Sequence, residues 1–418
     1  MISMKGVYMN FQQKLEEYAR LVIRSGINVQ KDQEVVINAP VDCAPFTRLM
    51  VKEAYEAGAK EVIVHWKDDL INRYKFDYAP LEVFEEIPEW RAESYNLYAK
   101  RGAAFISISS SDPEILKGVP SEKLIANSKA SEKALTFYRN KMMSSEVQWN
   151  VVAIPEKAWA KKVFPNLSTE DAMEKLWEAI FTALRIGDGN TVEKWVSHDN
   201  NLSDKCKKLN EYQFKKLHYK NQLGTDFIVG LVDNHKWEGG SEVAGNGARF
   251  LANMPTEEVF TMPHKDIGEG KVVSSMPLSY QGNLIENFSL TFKGGKVVDF
   301  SAEKGYDTLK DMLSMDEGAL HLGEVALVPY DSPISNMDIL FYNTLFDENA
   351  SCHFALGRCY PTNVVNGTTF SEEEMEAVGG NSSMIHVDFM VGSSDLQITG
   401  ITKDGEEVIV FKDGNWAI

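Results

Sequence analysis

Two short apolar runs, EVVINA at 34–39 and EVIVHW at 61–66, span about 33 residues with a helical pattern at 46–57 between them and a helix stop at Gly58. An antiparallel strand pair can be joined by a tight turn, whereas a parallel pair needs a crossover of a dozen or more residues, usually a helix. The spacing therefore predicts a βαβ unit. Leu15, Tyr18, Ala19, Val22 and Ile23 repeat at helical spacing ahead of it. Further strand-like runs follow at 103–109 and 147–154, separated by helical segments. The first half is expected to be an α/β domain with a mostly parallel sheet.

The pattern then changes. Helical stretches at 169–185 and 191–218 lead to a composition shift at 221–225. Beyond it, alternation and hairpin turns dominate. FSLTFKGGKVVDF at 288–300 reads as two strands around Gly294-Gly295, and Asp404-Gly405 makes a comparable turn between 396–401 and 407–411. Short helices are expected at 306–314 and 371–377. The second half reads as an α+β domain with a mixed or antiparallel sheet, and it carries the candidate metal site. The expected division is 1–215 and 216–418, with the boundary within 188–224, and 418 residues suit two such domains. Repeats and low-complexity segments are absent.

Composition narrows the function classes. No apolar run reaches the roughly 18 residues that a membrane span needs. MISMKGVYMN at the start lacks the apolar stretch and cleavage site of a signal peptide, so a cytoplasmic location is expected. Cys43, Cys206, Cys352 and Cys359 form no CxxC pair and read as reduced, partly buried small residues. With 43 basic and 61 acidic side chains the formal net charge is -18. Such a field repels nucleic acid and anionic membranes, so neither is an expected partner. It attracts cationic ligands, including a free peptide amino terminus.

SMIHVDFMV at 383–391 is the most informative segment for chemistry. Strand alternation puts His386 and Asp388 on one face, and Ile385, Val387, Phe389 and Val391 on the other, towards a core. The pair suits a divalent transition metal, and equally a hydrogen bond that orients a core histidine. DENASCHFALGRCY at 347–360 supplies Glu348, His353 and Tyr360; alone it reads as a solvated acidic loop followed by a core segment. Cys352 as a nucleophile is disfavoured, because its neighbour His353 points elsewhere in either regular structure. NMPTEEVFTMPH at 253–264 holds Glu257 and Glu258 in a short apolar strand, where only one of them can face inward. Glu324 interrupts LGEVALV at 322–328, so it is paired, protonated, metal-bound, or turned to water on an edge strand.

HExxH is absent. Together the carboxylates and imidazoles match zinc, cobalt or manganese, with magnesium also admitted, better than calcium. They outnumber the ligands of one tetrahedral zinc, which points to two divalent ions sharing a bridging group. The glycine-rich stretch at 239–247 lacks the strand and helix of a dinucleotide site and reads as a flexible or substrate-adjacent loop. His65, His198, His218, His235, His264 and His321 show no partner at useful spacing.

PTEEVFTMPH, GEVALV, ENASCHFALGRCY and HVDFMVGS, in this order and spacing, resemble the aminopeptidase T/aminopeptidase S family of metallopeptidases. The resemblance extends over essentially the whole chain. It implies metal ligation by Glu258, Glu324, Glu348, His353, His386 and Asp388, with Glu324 bridging two ions. It implies Tyr360 as an active-site tyrosine; the site chemistry in turn calls for a proton-carrying carboxylate, with Glu257 or Glu258 as the candidate region because one of the pair can be free of metal. The resemblance further implies a homodimer and removal of single residues from peptides with a free amino terminus by a metal-activated water. Two alternatives stay open at this point: another two-metal hydrolase, such as an amidohydrolase or phosphatase, and a non-catalytic α/β binding protein with a structural metal.

Overall fold

The computed structural model describes residues 9–187 and 189–418. The chain divides into two compact units, Met1–Asp199 with Ser241–Pro255, and Asn200–Gly240 with Thr256–Ile418.

The first unit is built on a four-stranded parallel sheet in the order Glu61–Lys67, Glu34–Pro40, Ala104–Ser109, Trp149–Ala153. The EVIVHW run forms an edge strand, while strands Glu34–Pro40 and Ala104–Ser109 lie at the centre, where Val35, Val36, Ile37 and Ile106 are fully buried. That is the burial a parallel sheet covered by helices requires. Helix Ala44–Glu56 makes the crossover between the first pair. The helix at 11–21 starts at a capping box, in which Asn10 and Gln13 satisfy one another's backbone N–H groups. The stretch at 239–247 departs from expectation. Ser241–Val243 forms a hairpin with Arg249–Leu251, and Gly247, at φ +84°, supplies the left-handed residue of its turn. The hairpin extends the sheet edge, since Val151 N–H donates to the Ala252 carbonyl at 2.8 Å.

The second unit contains an eight-stranded sheet and a four-stranded one, both antiparallel. The helix read at 191–218 stops earlier, at Tyr212. Gln213 takes a left-handed backbone (φ 45°), and Lys216–Lys220 then pairs with Asp226–Leu231 as a hairpin. His218 thereby meets Asp226 at 2.6 Å across the pair. The turns at Gly294-Gly295 and Asp404-Gly405 fall where the sequence places them, and so do short helices Tyr306–Leu313 and Glu372–Ala377.

The smaller sheet runs His386–Met390, His353–Gly357, Leu322–Leu327, Val259–Thr261. One of its faces packs on the larger sheet in a single apolar core. Phe354 meets Tyr219 and Phe227 with ring centroids 4.9 and 5.5 Å apart, and Phe389 meets Phe288. Ile385, Phe389 and Val391 lie in that core with Val387 packed against it, on the face alternation assigns them. The opposite face is left for polar side chains. Among the described residues, no helix is long and apolar enough to cross a membrane.

Candidate metal centre

Register across the smaller sheet assembles the site. Glu324 pairs with Ala355, and Ala355 with Asp388, so the two carboxylates flank a methyl group on one face of three adjacent strands. Ala326 pairs with His353 and with Phe260, while Gly357 pairs with His386. Small residues at 326, 355 and 357 leave the space into which the longer polar side chains converge. Just before the strand Val259–Thr261, Glu258 reaches the site, with Oε2 3.2 Å from His353 Nε2, whereas Glu257 stands outside both donor groups. Glu324 lies inside the sheet between two strands and is 4% exposed, which excludes the edge-strand reading.

Two groups of donors result, and they share one residue. Glu258, Glu324 and His353 form the first; Glu324, His386 and Asp388 form the second. His353 Nε2 lies 3.2 Å from Glu258 Oε2 and 3.5 Å from Glu324 Oε1. His386 Nε2 lies 3.5 Å from Glu324 Oε2 and 3.4 Å from Asp388 Oδ1. Glu324 thus turns one oxygen to each group. Glu348, on the turn Glu348–Ala350, stands outside both triads but bonds to Asp388.

The two histidines are held in the same tautomer. His353 Nδ1–H donates to the Ser351 carbonyl at 3.0 Å and His386 Nδ1–H to the Arg358 carbonyl at 2.7 Å, since a carbonyl can only accept. Nε2 of each ring is therefore the atom aimed at the carboxylates, the arrangement of a metal-ligating imidazole oriented from its far side. A neutral ring would present a lone pair to carboxylate oxygens there, so the contact needs a proton or a cation between them.

The electrostatics point the same way. Burial opposes charge on both imidazoles, yet Glu258 and Glu324 hold His353 well above its ordinary range, and Asp388 and Glu324 bring His386 to about 9. Burial pushes the Glu324 carboxyl up, and burial with the neighbouring Asp388 and Glu258 pushes Glu348 well up. Burial also works against the charge of Asp388, but the His386 imidazole beside it keeps its carboxyl below the usual range. Four carboxylates around two imidazoles demand more positive charge than the side chains supply. The donor set fits divalent cations.

Tyr360 follows the strand His353–Gly357 and is half-buried, its ring edge-on to His386 at 4.9 Å and to Phe260 at 5.8 Å. Burial and the surrounding carboxylates push its phenol well above its ordinary value, so it keeps its proton at neutral pH. The segment at 347–360 is no solvated loop: Asp347 is 3% exposed, and Asn349 is completely buried.

Asn349 escaped the sequence reading. Its Oδ1 accepts the Glu257 N–H at 2.7 Å, and its amide donates to the Leu345 carbonyl at 3.0 Å and Glu348 Oε1 at 3.4 Å. It ties the segment bearing Glu258 to the turn bearing Glu348. Gly323 was missed as well: a Cβ there would lie 2.3 Å from the Gly357 carbonyl oxygen, so only glycine lets the strand beside Glu324 close up.

The remaining nucleophile candidates fall away. Cys352 Sγ donates to the Val328 carbonyl at 3.2 Å on the core side, and burial pushes its thiol up to about 12. All four cysteines are buried, and none is in a disulfide. His218, His235, His264 and His321 stand outside both triads.

Comparisons with known proteins agree over the length of the chain. Residues 11–416 match the family described as thermophilic metalloprotease (M29). Aminopeptidase AmpS of Bacillus subtilis (strain 168) is 52% identical over 408 residues, covering 98% of this chain and 99% of that protein. Aminopeptidase 2 of Geobacillus stearothermophilus is 48% identical, covering 97% and 98%. The solved structure of wild-type AmpT from Thermus thermophilus superposes with a TM-score of 0.91 at 38% identity, covering 98% of this chain and all of that one.

Proposed function

The chain belongs to the thermophilic metalloprotease (M29) family and is a metal-dependent aminopeptidase, and from that premise we propose that it removes single amino-terminal residues from peptides at a centre of two divalent ions. The observation that carries the reading is Glu324, whose two oxygens each face a separate donor triad. In this proposal Glu258 and His353 complete one ion's protein ligands, His386 and Asp388 the other's, and Glu348 adds to them beside Asp388. When bound, the ions supply Lewis acidity to the scissile carbonyl and acidify the attacking water.

The protein's own groups do the rest. The Ser351 and Arg358 carbonyls fix both imidazole planes, so Nε2 is presented without rotational search. Tyr360, protonated and beside His386, donates its hydroxyl hydrogen bond to the oxyanion that develops on the scissile carbonyl. A carboxylate must carry the proton of the attacking water to the leaving amine. Glu258 or its neighbour Glu257 is the candidate for that role, with Glu348, which like Glu257 stands outside both triads, as a further one. The acidic site face favours the ammonium or amine of a free amino terminus, which is the basis of exopeptidase selectivity. Add-back of zinc, cobalt, manganese or magnesium ranks these ions by the activity each restores.

The test is metal analysis joined to a chelation and add-back assay. Purified protein is expected to hold up to two transition-metal ions per chain and to cleave a short free-amine peptide but not its acetylated form. Full activity after exhaustive chelation sinks the reading. Equal cleavage of both peptides would move the assignment to another two-metal hydrolase. A homodimer and a cytoplasmic location belong to the same reading; sedimentation and cell fractionation check them.

A further inference from the structure

Open parallel sheets bind ligands outside the carboxyl ends of their strands, at the point where the strand order reverses. In the first unit the chain steps from Glu34–Pro40 to Glu61–Lys67 on one side, then returns to Ala104–Ser109 on the other. The reversal falls between Glu34–Pro40 and Ala104–Ser109. One face of the sheet changes character there. Paired residues share a face, and the row Ile63, Val36, Phe105, Trp149 joins an apolar cluster with Tyr95 and Tyr98 of helix Glu89–Lys100. Two residues further along, the same face carries His65, Asn38 and Ser107. Asn38 Nδ2 donates to Ser107 Oγ at 3.4 Å, across the reversal itself. Asn38 Oδ1 and His65 Nδ1 are buried atoms with no hydrogen-bond partner. The three residues are only half-buried, so the row is reachable from solvent.

The charges above this row are unbalanced. Helix Glu89–Lys100 ends just before Ala104–Ser109 begins, so it runs back along the sheet and its first turns lie at the carboxyl edge. Tyr95 meets His65 with ring centroids 4.7 Å apart, and Arg91 stands one turn, about 6 Å, nearer that edge. The Arg91 charge acts on His65, Tyr95 and Lys75. Among the described residues no carboxylate pairs with Arg91, Lys75 or His65, which is unusual in a chain of formal net charge -18. The acids at the same edge, Asp42 and Asp69, are coupled to Lys67 and to each other instead. We infer that the row His65, Asn38 and Ser107, with Arg91 above it, binds a small anion that also carries a hydrogen-bond donor. The anionic head, a carboxylate or a phosphate, takes the Arg91 guanidinium and the Ser107 hydroxyl. The donor meets Asn38 Oδ1, a carbonyl oxygen that can only accept. The carboxyl end of a peptide offers this pair as carboxylate and amide N–H, and a singly protonated phosphate offers it too. The donor groups of the metal centre lie in the other unit, so the inference does not depend on the aminopeptidase reading.

The test titrates metal-loaded protein by calorimetry, at constant ionic strength, with inorganic phosphate and with N-acetylglycine. At least one probe is expected to bind the parent saturably. Arg91→Gln should weaken that probe by at least about tenfold, the scale of one lost charge-assisted hydrogen bond. Arg91 is exposed, so its replacement leaves the core intact. If Arg91→Gln still folds poorly, Ser107→Ala decides in its place, with an expected fall of at least about threefold. Loss confined to phosphate assigns a phosphorylated ligand, and loss confined to N-acetylglycine assigns a peptide carboxyl end. An anion held at the metal centre binds parent and variant alike, so only the difference between them counts. No saturable binding of either probe, or equal affinity in parent and variant, overturns the inference.

Discussion

Four strands make the parallel sheet of the first unit and four make the sheet that carries the donor groups, but the two bury different things. The first encloses Val35, Val36, Ile37 and Phe105, side chains that gain by leaving water at about 1.5–3 kcal/mol each. The second has an equally apolar inner face in Phe354 and Phe389, and on its outer face Glu258, Glu324 and Asp388 are 4–8% exposed. Carboxylates held there cost free energy unless a counter-charge sits among them. One sheet is therefore complete as a hydrophobic structure, whereas the other needs positive charge beside its buried carboxylates.

Removing the carboxylate that both donor groups share should break that contrast most severely. Glu324→Gln keeps the shape of the side chain and removes its charge. A fall in kcat/KM of at least about 1,000-fold is expected, or roughly 4 kcal/mol of transition-state stabilisation. Both ions should be lost or weakened together, read by metal titration. Loss of a single ion with the other at parental affinity would show that Glu324 does not bridge.

Tyr360→Phe comes next. The ring contacts with His386 and Phe260 survive, and only the hydroxyl is lost. An oxyanion donor of this kind accounts for about a hundredfold in kcat with KM little changed. A rise in KM at unchanged kcat would instead make Tyr360 a substrate-binding group.

A smaller effect is expected at Asn349. Asn349→Ala should lower metal affinity by about tenfold, the lower end of what losing an orienting partner costs. It also leaves the Glu257 N–H without its acceptor, at about 1–3 kcal/mol of stability. Metal titration and chemical denaturation measure the two separately. Unchanged affinity with lowered stability would reduce Asn349 to a purely structural clamp.

The contrast between the sheets also explains what could be read from the sequence. Features set within one strand were legible. His386 and Asp388 share a face because alternation is local, and Ile385, Phe389 and Val391 reach the core for the same reason. The turns at Gly294-Gly295 and Asp404-Gly405 were legible because positive φ selects glycine. Features that depend on which strands pair were not. Nothing near Glu324 indicates that its row contains Ala355 and Asp388, or that Ala326 faces both His353 and Phe260. The end of the helix at Tyr212 was missed because Gln213 adopts a left-handed backbone with no glycine to mark it. Tyr360 entered through family resemblance alone, since its place beside His386 is a tertiary contact.

Ile37→Ala tests the other side of the comparison. Ile37 is fully buried at the centre of the parallel sheet, and truncating it should cost about 2–5 kcal/mol of stability. The donor groups all belong to the second unit, so kcat/KM per folded, metal-loaded molecule should match the parent. Hydrogen exchange can separate the effects. Ile37→Ala should lower protection in Glu34–Pro40 and Ala104–Ser109, while chelation of the parent protein should lower it in Leu322–Leu327, His353–Gly357 and His386–Met390. If chelation loosens both sheets equally, the cations stabilise more than the sheet that binds them, and the first unit's hydrophobic core is not self-sufficient.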